Sequence, residues 1–374
     1  MSARTEMAET KVLAIASHVV YGYVGNTMVT FVMQSLGCEV SALHTVHFSS
    51  SFLIIYITNS PACSPGNHTG YRQIKGTKAT ASEILDLYAG LQQSHLTDFD
   101  VLLSGYAPSA EAVQAVGSIA RDLKNQRQDL FWVMDPVMGD NGRLYVSEDV
   151  LPAYKALLPY ADLILPNQFE AEVLSDVKIT DLSSLITAIS SLHSKYKIPH
   201  VVVTSVRFTL NQDGDQKETS TVPSLSIIGS TIRWADSTPR LFQITVPDID
   251  AFFSGTGDMF AALMVARLRE ACTADGLCQS NDGNGPTWLC SDDVESLSTP
   301  LARAAEKVCA SMSVILNRTK ESMDLELKAN PTLPESDIDA HLRKTKAAEV
   351  RVTRFQHELR DPVVVYKAEE VVAR

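Results

Sequence analysis

This 374-residue chain lacks any apolar run long enough to span a membrane as a helix. The most suggestive stretch, SFLIIYI (51–57), falls far short of the roughly 20 residues a span needs. The first residues, MSARTEMAETK, are polar and lack the apolar segment of a secretory leader, so no targeting segment is expected. Positive charge is also scarce: 32 Lys and Arg stand against 44 Asp and Glu, a formal net charge of −12. No basic stripe appears, which excludes a nucleic-acid surface. An anionic small substrate would have to be met by backbone donors, helix N-termini or a metal. The six cysteines (Cys38, Cys63, Cys272, Cys278, Cys290, Cys309) are scattered, as suits reduced thiols better than a disulfide framework. Cys272, Cys278 and Cys290 lie near one another, yet with no CxxC and no histidine pair no zinc site is expected there. Neither GxxxxGK[ST] nor GxGxxG occurs, so this is no P-loop protein, and a nicotinamide dinucleotide is a poor fit.

What is present is an alternation. With 45% hydrophobic and 20% charged residues the chain can bury a large core. KVLAIAS (11–17), EVSALHTVHF (39–48), DVLLSG, LFWVMDP, ADLILPN and HVVVTS read as strands, with SLSIIGSTIRW and LFQITVP beyond them. Between them NTMVTFVMQSLG stops at Gly37, TASE (80–83) is a capping box opening EILDLYAGL, and SAEAVQAVGSIARDLKN, FEAEVLSD and LSSLITAISSLHSKY have helical spacing. TGDMFAALMVARLREA and LARAAEKVCASMSVILNRT are the last long helices. Apolar strands alternating with helices predict a three-layer αβα sandwich around a mostly parallel sheet. One domain over 1–374 is expected, its core at about 12–320. Three segments leave this rhythm: 50–66; the acidic loop at about 272–299, read as solvated; and 321–349, where charge, Asn330-Pro331 and Pro334 should break any long helix.

In such sheets ligands bind at the carboxyl ends of the strands. SHVVYGYVGN, DPVMGD, PNQFEAE, TS and GTGD all fall there. Singly each is a turn or a cap; five in one alternating fold point to a site. In SGTGD, Gly255 and Gly257 allow a tight turn whose N–H groups, with the helix dipole, suit an anion. Asp258 then sits in the first helical turn, either as a favourable helix start or as a base for a hydroxyl attacking a phosphoryl group. Asp135, Asp140 and Glu170 are the acids available to hold Mg²⁺, directly or through water, or else turn and cap residues.

At these residues the chain resembles the pyridoxal kinases, within the ribokinase-like superfamily. SHVVYGYVGN, SGY, DPVMGD, LYVSEDVLPAYK, ADLILPNQFEAE, VVVTS and FFSGTGDMFAA carry the resemblance from about residue 12 to 320, with a faint tail at DPVVVYKA. It implies ATP-dependent phosphorylation of the 5′-hydroxymethyl group of pyridoxal, and of pyridoxine and pyridoxamine. Implied for the vitamin pocket are Ser17, Val24, Thr69 and Tyr106, with Phe48 flanking the ring and Asp258 as base. Implied for ATP and Mg²⁺ are Asp135, Asp140, Tyr145, Asn167 and Glu170, with Thr204 and Ser205 on phosphate and Gly255, Thr256 and Gly257 as anion hole. It also implies K⁺, a homodimer, and a cytosolic or nuclear location without membrane or nucleic-acid partners.

Two departures stand out. Ser254 replaces an apolar residue expected before GTGD. The family's FSNHTGY is split here, with 50–66 lying between Phe48-Ser49 and Asn67. Composition and position favour a retained intron translated in frame over an evolved loop. Two alternatives therefore stand beside the kinase: a hydroxymethylpyrimidine kinase of the same superfamily, and a catalytically impaired vitamin B6-binding protein.

Overall fold

KVLAIAS does open the fold, but its strand runs beyond the apolar residues. In a computed structural model, which describes residues 9–50, 71, 75–207, 223–278, 288–329 and 336–371, β1 spans Thr10–Tyr21 and β2 spans Cys38–Ser50, with α1 (Asn26–Ser35) between them. Then follow β3 (Gly76–Lys78), α2 (Ala81–Gln93), β4 (Val101–Ser104), α3 (Ala110–Gln126) and β5 (Phe131–Met134). A small hairpin, β6 (Gly139–Asp140) and β7 (Arg143–Leu144), leads to α4 (Val150–Leu157), β8 (Leu163–Ile164), α5 (Gln168–Ser175), α6 (Leu182–Tyr196) and β9 (His200–Val206). The rest comprises β10 (Ser224–Ile232), β11 (Pro239–Pro247), α7 (Thr256–Ala274), α8 (Pro300–Ala329), α9 (Asp337–Ala347), α10 (Gln356–Arg360) and β12 (Glu369–Glu370).

The sheet order is β12-β11-β10-β9-β8-β5-β4-β1-β2-β3. Its centre, β9 to β2, is parallel, while β3, β10, β11 and β12 run antiparallel to their neighbours. Side chains alternate across it, as a sheet covered on both faces requires. Val12 and Ala14 pack with α1, α7 and α8; Leu13 and Ile15 pack with α2 to α6. The chain leaves β1 towards β2 on one side and later returns to β4 on the other. The crevice at that reversal is where an open α/β sheet binds its ligand.

β1 pairs with β4 only from Val12 to Ile15, but with β2 as far as Tyr21. The two strands therefore leave the sheet as a ribbon beside that crevice. The TASE helix start forms as expected, Thr80 accepting from the Glu83 N–H and Glu83 from the Thr80 N–H.

Two expectations need correction. The segment 321–349 does not leave the helical rhythm at its start, because α8 continues nine residues past Lys320 to Ala329. Ile315, Thr319 and Met323 keep a buried stripe across the charged stretch. The loop at 272–299 is not simply solvated either. Trp288 is buried, its ring stacked on Phe131 at 4.0 Å, a contact worth about 0.5–1.5 kcal/mol beyond burial. Arg240 ties the loop down by donating to the Ser291 and Val294 carbonyls. The segment 51–66, Thr69 and Cys63 lie outside the described residues.

Candidate active site

The GTGD segment forms the start of α7. Gly255 is its N-cap at φ 79°, ψ 12°, a left-handed conformation that glycine adopts freely. A Cβ here would meet the Tyr23 carbonyl oxygen at 2.0 Å, so the loop lies directly against backbone 23–24. No side chain caps this helix end, which leaves its first N–H groups for a ligand. Gly257 faces Asp135: a Cβ at that position would be 3.8 Å from Asp135 Oδ2.

Asp258 stands in the first turn, and its Oδ2 accepts from the Gly25 N–H at 2.7 Å. Burial pushes its carboxyl up to about 6, with the Gly25 N–H acting the other way. Gly25 itself is packed against Ser17, where a Cβ would come within 2.2 Å of the Ser17 hydroxyl. Ser17, the 22–25 loop and Asp258 are thus drawn to one place. Tyr106 joins them, since Thr45 Oγ1 donates to the Tyr106 carbonyl at 2.6 Å and the Gly105 N–H donates to Ile15. Phe48 lies further out on the ribbon, opposite Val19. Val24 is half-buried in the 22–25 loop.

The acids form a second group. Asp135 follows β5 and is buried; burial raises its carboxyl well above the usual range, and the charges of Glu170 and Asp258 raise it further. Among the described residues no hydrogen-bond donor to its side chain is found. Glu170 is buried as well, yet it is well supplied: Oε1 accepts from the Met138 and Gly139 N–H groups and Oε2 from that of Asn167. Asn167 returns a bond to the Glu170 N–H and donates from Nδ2 to the Gly139 carbonyl. PNQFE is therefore a capping box for α5 and also a clamp on the DPVMGD loop.

Asp140 sits exposed in the β6–β7 hairpin, its two oxygens taken by the Asn141 backbone and side chain. Tyr145 follows that hairpin, its N–H bonded to Met138 O at 2.7 Å. Thr204 bridges to Asn167, and Ser205, at φ 58°, is the next residue. Asp140 and Ser205 line an open cleft of about 240 Å³ with Gln168, Phe169, Lys178 and Arg207. Asp140 and Ser205 thus share this cleft, while Ser17, the 22–25 loop and Asp258 meet at the crevice by β1, and Gly257 faces Asp135.

Among the described residues no three His, Cys, Asp or Glu side chains are set to ligate a metal directly, Cys272, Cys278 and Cys290 included. The acids still fit a divalent cation held through water. Asp135 is a buried carboxylate without a donor, flanked by two more acids, and needs positive charge nearby to stay ionised.

Reading the sequence alone missed three things here. One is the Gly25 N–H, a backbone group that only the fold aims at Asp258. Another is how closely His18, His44 and His47, which the sequence already places near the site, pack on the ribbon: His18 Nδ1 and His47 Nδ1 are 2.9 Å apart, and the His18 and His44 rings are 4.3 Å apart. The third is Glu349, from the weakly matching C-terminal region, whose Oε1 accepts from the Tyr71 hydroxyl at 3.0 Å.

Residues 97–275 match the Phosphomethylpyrimidine kinase family. The pyridoxal kinase of Sus scrofa is 31% identical over 96% of this chain and 95% of its own. That of Homo sapiens is 37% identical over 69% of this chain and 77% of its own. Among solved structures, pyridoxal kinase from Leishmania donovani in complex with ADP and pyridoxamine superposes with a TM-score of 0.72 at 28% identity, covering 97% of this chain and 100% of that one. Among the described residues no helix is long and apolar enough to cross a membrane. With a ribokinase-like sheet, a glycine-opened helix start carrying Asp258 and relatives matched along nearly the whole chain, the protein belongs to the pyridoxal kinase family.

Proposed function

We propose that the protein transfers the γ-phosphoryl group of ATP to the 5′-hydroxymethyl group of pyridoxal, pyridoxine and pyridoxamine. The observation that carries this is Asp258, held by the Gly25 N–H at 2.7 Å at the uncapped start of α7. The hydroxymethyl oxygen attacks the γ-phosphorus, the bond to the β-phosphate oxygen breaks, ADP leaves, and the hydroxyl proton passes to Asp258. Asp258 is the general base, and the N–H groups of Gly255, Thr256 and Gly257 accept the charge that develops on the phosphoryl oxygens. Ser17, Val24, Phe48, Thr69 and Tyr106 bind the vitamin. Asp140, Tyr145, Asn167, Thr204 and Ser205 place the nucleotide.

Asp135, Asp140 and Glu170 would hold Mg²⁺ through water, and the ion neutralises phosphate charge when bound. Glu170 serves mainly by fixing the Met138-Gly139 backbone, since both its oxygens are already engaged. A K⁺ requirement, a homodimer and a cytosolic or nuclear location belong to the same proposal.

The match to the phosphomethylpyrimidine kinases favours hydroxymethylpyrimidine as the competing substrate. The test measures ATP-dependent phosphorylation of both compounds by the full chain and by a version without 50–66. Pyridoxal is expected to be turned over faster than the pyrimidine, at least by the shortened chain. A preference for the pyrimidine overturns the substrate assignment. If neither chain turns over although both fold and bind pyridoxal, the protein is a vitamin-binding protein. Activity confined to the shortened chain marks 50–66 as disabling.

A pH profile offers a separate check. The base works only when ionised, so kcat/KM for pyridoxal should be flat above and fall below a midpoint near pH 6. An acidic limb that stays flat to pH 4.5 would rule out Asp258 as the titrating base.

A further inference from the structure

We infer that Glu349, contributed by the C-terminal region after α9, is a positioning residue for phosphoryl transfer: it holds the 22–25 loop in the shape that presents the Gly25 N–H to Asp258. This rests on the reading of Asp258 as base.

The contacts form a short chain. Glu349 Oε1 accepts from the Tyr71 hydroxyl at 3.0 Å, and the Tyr23 backbone N–H also favours the charged carboxylate. Glu349 Oε2 is buried without a hydrogen-bond partner, and it lies where a Cβ on Gly22 would approach within 2.5 Å. Gly22, at φ 94°, is thus pressed onto the carboxylate. One residue on, the Tyr23 carbonyl lies against Gly255, and two beyond that the Gly25 N–H reaches Asp258. The loop is held between Glu349 on one side and the GTGD turn on the other.

A carboxylate placed here is costly to desolvate, and burial raises its protonation point. A purely apolar plug would pack beneath the loop without that cost, but it could not hold the Tyr71 hydroxyl by a hydrogen bond or attract the Tyr23 N–H. The preceding Ala347 and Ala348 are buried in the α7–α8 layer, so the backbone that carries Glu349 is fixed to the same layer as α7. Among the described residues Tyr71 is the titratable group that faces the carboxylate, and its ring stands 6.0 Å from that of Tyr21.

The experiment compares Glu349→Ala and Glu349→Gln in the full chain, with pyridoxal and ATP as substrates. Glu349→Ala is expected to lower kcat by on the order of tenfold to a hundredfold, the size of a small misplacement of reacting groups. KM for ATP should stay constant, because the nucleotide cleft is built from other elements. The acidic limb of the profile should move to higher pH, since losing the Gly25 N–H removes what holds Asp258 down. Glu349→Gln keeps the shape and an acceptor for Tyr71, and should recover most of the activity.

Wild-type kcat with an unmoved acidic limb in Glu349→Ala overturns the inference, whatever happens to the melting temperature. If that variant does not fold, Gly22→Ala carries the test, because its Cβ would displace the same carboxylate. The same shift is expected there, and an unmoved limb overturns the inference. Asp258→Asn, assayed alongside, separates the two claims. If it remains active, the reading of the base fails. If it is dead while Glu349→Ala behaves as wild type, only the positioning role fails.

Discussion

Asp258→Asn is expected to reduce pyridoxal phosphorylation by roughly 10²–10⁴-fold while leaving the melting temperature close to that of the parent. Asparagine has the same shape, and its Oδ1 can still accept from the Gly25 N–H, so the 22–25 loop should stay in place. What is lost is the ability to take a proton from the attacking hydroxyl. The substitution also removes one of the two charges that raise Asp135, so the acidic cluster should become easier to fold around rather than harder. Single-turnover phosphorylation together with a thermal melt reads both quantities. Activity within a few-fold of the parent in a folded variant would exclude Asp258 as base.

The second large effect distinguishes two glycines two residues apart. Gly255→Ala should lose both activity and stability, by about 2–4 kcal/mol from left-handed strain and the collision with the Tyr23 carbonyl. Gly257→Ala should fold as well as the parent, because its Cβ meets nothing closer than Asp135 Oδ2 at 3.8 Å. Its activity should nonetheless fall by on the order of a hundredfold, because the added methyl group enters the space between the helix start and Asp135 and displaces the phosphoryl group from the donors. Denaturant titration and turnover of the two variants make the comparison. Full activity in Gly257→Ala would show that the α7 start is not the anion hole.

Local signals proved readable where local chemistry decides the structure. TASE announced a capping box and NQFE a cap, and boxes form around both Thr80–Glu83 and Asn167–Glu170 because the bonds close within three residues. Glycines before an apolar helical stripe likewise marked the α7 start. Elements set by distant partners were harder to read. SHVVY looks like a loop after an apolar strand, yet it is strand, because β2 runs alongside it as far as Tyr21. ADLIL promises a full strand, but only Leu163–Ile164 pair, since the chain must turn at Pro166 to place Asn167. The charge in 321–329 argued against helix, and it lost to a buried stripe supplied by packing from elsewhere. Glu349 carried no motif at all: its meaning comes from Gly22, more than three hundred residues earlier.

That separation has a consequence for how the enzyme is made. Gly25 and Asp258 are 233 positions apart, and Tyr71 and Glu349 are 278 apart. At about 5–20 residues per second on a ribosome, the base emerges roughly ten to fifty seconds after the N–H that orients it. Until then the face of β1 that carries Val12 and Ala14 has no α7 to cover it. On the proposed mechanism the covering layer and the base therefore arrive together, and no ribosome-bound intermediate that lacks α7 can consume ATP.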